Sequence, residues 1–217
     1  VFRNYIKKLE IEPIENIDGS ERLEKHAKIL RQKHLLRNAF QECHQTFLAL
    51  DKEFFSNNVD LRIELGAGVS PVREAFPAGL ATDIVPATHF DRVINAQEMD
   101  LADGSAHNLY CQNSFHHFPQ PEKFFKEAIR ILAPGGGIVL IEPYYSFLSS
   151  LFPELEIVHR KPLTNYIRYL LSGGLNFHQL TPNWMERPLK ILEFLLTPVA
   201  TFFALHHVIL IRKKSHV

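Results

Sequence analysis

The order of apolar runs predicts an α/β protein: a doubly wound, mostly parallel sheet preceded by a helical extension. Three observations lead there. From about residue 60 onward, short apolar runs alternate with helical stretches, the pattern of βαβ units. The first run ends directly in a glycine-rich turn, Gly66-Ala67-Gly68, and the second carries Asp83 toward its end. The run from Gly137 to Glu142 is almost continuously apolar, as a parallel strand covered on both faces requires.

Residues 1–58 read as a helical extension. Asp18-Gly19-Ser20-Glu21 has the acceptor side chains of a helix start. Leu36, Phe40, Cys43, Phe47 and Leu50 then recur every three or four positions and form one stripe. Such a helix either packs on the core's edge or forms a lid. Residues 59–217 form the sheet domain. Its strands are expected at Leu61–Leu65, Ala81–Val85, Arg92–Asn95, around Leu109–Cys111, Gly137–Glu142, Leu155–Val158 and His207–Ile211, seven in all. Pro121 opens a helix at a position where its missing N–H is not needed. Phe125, Ala128 and Leu132 share a face of that helix, and Pro134-Gly135-Gly136 stops it. Further helices are expected at about 160–203, around Tyr166–Leu171 and Lys190–Phe203, the latter packed on the core, with a membrane-facing role as the alternative that a lipid-linked acceptor would fit.

Composition narrows the class. The 217 residues suit one domain with a modest appendage. Lys+Arg and Asp+Glu both total 24, so there is no basic surplus for a nucleic-acid backbone. Cys43 and Cys111 lie far apart and read as reduced residues of a cytoplasmic protein. The twelve histidines fall in no metal-ligand frame, so no metal is expected. Glu193, Pro198 and His206-His207 interrupt the apolar segment Ile191–Ile211, which argues against an integral membrane span.

A glycine turn behind a buried strand lets a ligand approach the backbone, and a following helix start would offer it N–H groups. A carboxylate at the next strand end, here Asp83, suits two ribose hydroxyls. Pro71 stands where the dinucleotide fingerprint needs its third glycine, which weakens a nicotinamide reading. The stretch Glu64-Leu65-Gly66-Ala67-Gly68 instead resembles the first motif of Rossmann-like (class I) S-adenosylmethionine-dependent methyltransferases, small-molecule type. The resemblance runs from about Arg62 to Pro143. It takes in Asn95-Ala96-Gln97, Asp103-Gly104-Ser105-Ala106-His107, Cys111–Phe118 and Ile129–Gly136. Asn95 stands where an Asp is usual, Ser70 where many members have a third glycine, and His107 where a second Asp is usual.

The resemblance implies that S-adenosyl-L-methionine is held by Glu64, Gly66, Ala67, Gly68, Asp83, Ile84, Asn95, Ala96, Gln97, Gln112 and Asn113. It also implies a final strand inserted antiparallel. Gln112–His117 and Glu142–Tyr145 follow the fourth and fifth strands and should face the transferred methyl group, because ligands sit at the carboxyl ends of such sheets. His116 is the first candidate general base, since imidazole titrates near neutrality. His117 is the second, and Tyr144 is a candidate lining of the acceptor pocket. A packing role for the two histidines stays open. The acceptor is expected to be a small molecule, or a glycan or lipid-linked compound. A catalytically silent cofactor-binding module and a nicotinamide-dependent oxidoreductase remain as alternatives. The interval between Pro143 and Leu155 is short for a crossover, and resembling sequences are longer there, which suggests that a loop after Ser149 is missing.

Overall fold

The structure, a computed structural model, describes residue 11 and residues 20–55, 59–143 and 152–214. Tyr144 and the segment after Ser149 lie outside the described residues. Helix α1 (Ser20–Gln32) starts within the expected stretch, and α2 spans His34–Phe54. The strands are β1 (Arg62–Leu65), β2 (Gly79–Asp83), β3 (Arg92–Val93), β4 (Ala106–Gln112), β5 (Leu132–Glu142), β6 (Leu155–Pro162) and β7 (His207–Lys213). Helix α3 (Pro121–Ile131) precedes β5, while α4 (Tyr166–Leu171), α5 (Glu186–Leu195) and α6 (Ala200–Phe203) lie between β6 and β7.

The seven strands form one sheet in the order β3-β2-β1-β4-β5-β7-β6. β7 enters antiparallel between β5 and β6, so β6 never pairs with β5. The sheet and its flanking helices give the Rossmann-like methyltransferase architecture that the resemblance implied. Strand alternation sends Leu109, Cys111, Ile138, Leu140, Ile209 and Ile211 to one face, where Phe124, Phe125, Ala128 and Ile131 of α3 cover them. Tyr110, Val139, Ile141, Val208 and Leu210 point the other way, under Cys43, Phe47 and Leu50 of α2. The α2 stripe is therefore central core, not an edge.

Three expectations need correction. α3 stops at Ile131, and Leu132 already has extended backbone and begins β5. Pro134-Gly135-Gly136 thus lies within that strand. Behind the glycine turn, the chain forms only a short 3-10 turn at Val72–Glu74, with no α-helix start. Finally, the segment around Ile191–Phe203 is not packed on the core. Leu189, Glu193 and Ala200 point inward, whereas Ile191, Phe194, Leu195, Phe202 and Phe203 are exposed. Pro198 breaks the segment, and its inward stripe is narrow and partly polar.

The α2 face also encloses a polar centre. Asp51 accepts from Arg62 Nε at 2.5 Å and Tyr110 OH at 3.0 Å, lies 2.7 Å from His107 Nε2, and also accepts from Asn108 Nδ2. His107 thus replaces the usual acid at its position by pairing with a carboxylate from α2. A second buried network ties α4 and α5 to α2. Arg168 donates to Glu193 at 2.6 Å and to both oxygens of Glu42 at 2.7 Å.

Candidate active site

At the carboxyl ends of β1, β2, β4 and β5 lies a cavity of 1130 Å³. Its floor is the turn Gly66-Ala67-Gly68. Gly66 has φ +70°, and a Cβ there would lie 2.5 Å from Ser114 Cβ. Gly68 has φ +56°, and a Cβ there would meet only Gly66 O at 3.9 Å, an ordinary contact, so the backbone there is bare toward the cavity. Asp83 Oδ2 accepts from Gly68 N at 3.2 Å, and Oδ1 accepts from Val85 N at 3.2 Å, which fixes the carboxylate against the turn. Ile84 is 63% exposed beside it and offers an apolar surface to the cavity.

Glu64 is buried beneath the turn, with Oε2 accepting from Val72 N at 2.6 Å. Burial pushes its pKa up to about 8, and the nearby Glu74 and Asp83 add to the rise. A cation arriving beside Glu64 would reverse that shift. Asn95, Ala96 and Gln97 line the same cavity. Asn95 Oδ1 already accepts from Gln97 N at 3.0 Å in a local turn, and Gln97 Oε1 accepts from Gln120 N at 2.7 Å.

After β4, Asn113 adopts φ +53°, a left-handed conformation uncommon for a non-glycine residue and often found at functional sites. Its neighbour Gln112 has an enclosed Oε1 without a hydrogen-bond partner, in the cavity wall. The turn Phe115–His117 brings His116 to the rim. His116 Nδ1 lies 2.6 Å from Glu142 Oε2, while Glu142 Oε1 accepts from Ser114 N at 2.8 Å and Phe115 N at 2.7 Å. A carboxylate only accepts, so Nδ1 carries the proton and Nε2 keeps its lone pair. This hydrogen bond raises the His116 pKa above the ordinary 6.5, against some burial. His117 lies beside it, with ring centroids 4.0 Å apart.

The structure thus brings every predicted site residue within the described chain to one cavity; Tyr144 is the one outside it. Sequence reasoning placed Glu142 on the rim but not its pairing with His116. It missed the far wall. Arg22, Leu23 and His26 of α1 line the cavity together with Phe40 of α2, so the extension supplies core through α2 and wall through both helices. His206 precedes β7 and lines the cavity, packed edge-on against Tyr169 at 4.9 Å. Only the doublet at a strand start hinted at this. Among the described residues, no three His, Cys, Asp or Glu side chains are grouped to hold a metal.

A family model described as a methyltransferase domain matches residues 77–140. Over those residues the chain is similar to methyltransferase domains. Ajmaline N-methyltransferase of Rauvolfia serpentina is 30% identical to it over 121 residues, 48% of this chain and 41% of that protein. The chain therefore spans less than half of that relative's length. Among solved structures, geranyl diphosphate C-methyltransferase of Streptomyces coelicolor superposes with a TM-score of 0.54 at 13% identity, covering 95% of this chain and 90% of the other. A methyltransferase complex with the Trm112 activator from Haloferax volcanii gives a TM-score of 0.50 at 13% identity, covering 82% and 93%. These structural likenesses establish the methyltransferase fold of the domain.

Proposed function

We propose that this chain transfers a methyl group from S-adenosylmethionine to a small-molecule, sugar or lipid-linked acceptor, with His116 taking the acceptor's proton. The observation that carries the reading is a single cavity with two kinds of wall. One side holds the bare turn at Gly68 with Glu64 and Asp83, and the other holds the His116–Glu142 pair.

The residues fit the methyl donor. Glu64 is a buried carboxyl suited to an ammonium group, and Asp83 accepts from hydroxyls. The enclosed, unpartnered Gln112 Oε1 has room for a donor. Exposed Ile84 would lie against the flat face of a heteroaromatic ring, and Asn95 retains a second carbonyl lone pair for an amine. Ala96 and Gln97 complete that edge. When bound, S-adenosylmethionine supplies an electrophilic methyl group on a sulfonium.

The chain's own contribution is placement and proton handling. Glu142 fixes the His116 tautomer, so that Nε2 can accept a proton from a hydroxyl or amine held in the cavity. His117 and Tyr144 are assigned to the acceptor side. The two buried, free cysteines suit a reducing, cytoplasmic setting.

Calorimetric titration with S-adenosylmethionine and S-adenosylhomocysteine tests the first half. Binding should weaken by about ten- to a hundredfold in Asp83→Ala, as expected for losing a charged hydrogen-bond acceptor. Binding of NAD in place of both would overturn the reading. For the second half, His116→Ala should lower kcat by about 10²- to 10⁴-fold with donor affinity intact. Because the His116 pKa is raised, turnover should climb with pH through a midpoint above 6.5, and Glu142→Gln should move that midpoint down. Unchanged turnover in His116→Ala would reduce the protein's role to holding the reactants in place. Donor binding with no turnover of any acceptor would favour the silent module.

A further inference from the structure

We propose that the outward side of α5, the turn Thr197–Val199 and α6 docks on an anionic lipid bilayer, with the cavity mouth turned toward it. Single exposed apolar residues are ordinary, whereas a cluster marks an interaction site. Here Ile191, Phe194 and Leu195 are 63%, 76% and 66% exposed, and Phe202 and Phe203 follow at 84% and 59%. α5 has ten residues, and no described helix is long and apolar enough to cross a membrane. A short helix with an apolar outer side lies in the plane of the interface.

Charge selects the occupant. The whole chain is balanced, yet from Ile157 to the C-terminus there are eight Lys and Arg against two Asp and Glu. Both acids are engaged internally. Glu193 is buried against Arg168, and Glu186 bonds His34 at 2.7 Å and Asn38 at 2.8 Å. The exposed charges of this stretch are therefore basic. Arg187 lies on α5, where Lys190 is itself paired with Glu186 at 3.0 Å and Glu42 at 3.3 Å, and Arg160 and Lys161 lie at the end of β6, which packs against α6. Anionic headgroups attract such residues near a membrane surface. A second copy would set two basic rims against each other, and RNA would gain little from Ile191 and Leu195.

The patch also continues into the cavity. Leu170 and Leu205 are exposed to solvent and line the cavity as well. A molecule with an apolar tail held in the bilayer would reach the mouth without leaving lipid.

The test is flotation of the full chain on phosphatidylcholine vesicles with and without phosphatidylglycerol. The chain should float with the anionic vesicles alone, and added salt should weaken this. Phe194→Ser/Phe202→Ser and Lys161→Glu/Arg187→Glu should each bind about tenfold more weakly or worse. All four substitutions are at exposed positions, and unchanged circular dichroism and unfolding midpoint would show that the variants fold. The proposal is overturned if the wild type stays with the lipid-free fractions or floats equally on neutral vesicles. It is also overturned if the variants float normally, if the Phe variant merely dissolves a dimer, or if the basic residues serve RNA alone. Vesicle binding does not require methyl transfer, so failure of either reading leaves the other standing.

Discussion

Under α3, Phe115, Phe118, Phe124 and Phe125 meet one another at ring-centroid separations of 5.0–5.6 Å in tilted and edge-on contacts. Under α2, the same sheet presents Arg62, Asn108 and Tyr110 to one carboxylate, Asp51, beside a stacked Phe47–Tyr110 pair. One side is held by shape and area, which repack when volume is kept. The other depends on directed partners, each of which becomes a buried, unsatisfied group when the acceptor is removed. Two layers of similar burial should therefore fail in different ways.

The largest difference is expected at Asp51. Asp51→Ala removes an acceptor shared by four side chains and should cost about 3–5 kcal/mol in urea unfolding. If the loss is under about 1 kcal/mol, the polar centre is filler and the contrast between the layers collapses.

An effect of slightly smaller size should appear with pH. His44 of α2 is wholly enclosed, and burial pushes its pKa down to about 4 from 6.5. The folded state thus holds it neutral, while the unfolded chain protonates it. Its contribution to stability is complete above pH 6.5 and is lost as pH falls toward 4, by about 3 kcal/mol. Unfolding midpoints across that window should slope in the wild type and flatten in His44→Leu. His116 runs the opposite way. Its raised pKa makes its pair with Glu142 most stabilising below pH 6.5 and weaker as pH climbs.

The smallest effect belongs to the aromatic layer. Phe124→Leu should cost only about 1 kcal/mol, because the neighbouring rings can close on a smaller apolar group. A cost matching that of Asp51→Ala would mean that the aromatic layer is as directional as the polar one.

Legibility in the sequence followed the same division. The strands, the α3 face and the α2 stripe were readable because their residues repeat with the periods of their elements. The glycine turn and Asp83 were readable because spacing along β1 and β2 fixes where they emerge. Pairings between distant segments leave no local trace. Nothing around Asp51 announces His107, and nothing around Glu142 announces His116. The outward side of α5 was misjudged for a related reason. Its apolar period marks a helix, but the side that faces inward was decided by Arg168 binding Glu193.

The contact between Gly66 and Ser114 bears on how this cavity can change over generations. The two positions lie on turns from neighbouring strands and leave no space for one more carbon. A side chain at position 66 would demand a retreat at 114, where Ser114 Oγ donates to Leu65 O at 2.7 Å and its backbone N–H is held by Glu142. Each single step is penalised before any joint solution is reached, so the two turns form one heritable unit. Drift in ligand preference must then come from the opposite wall, where Phe177, Leu170 and Leu205 border solvent and can vary one at a time.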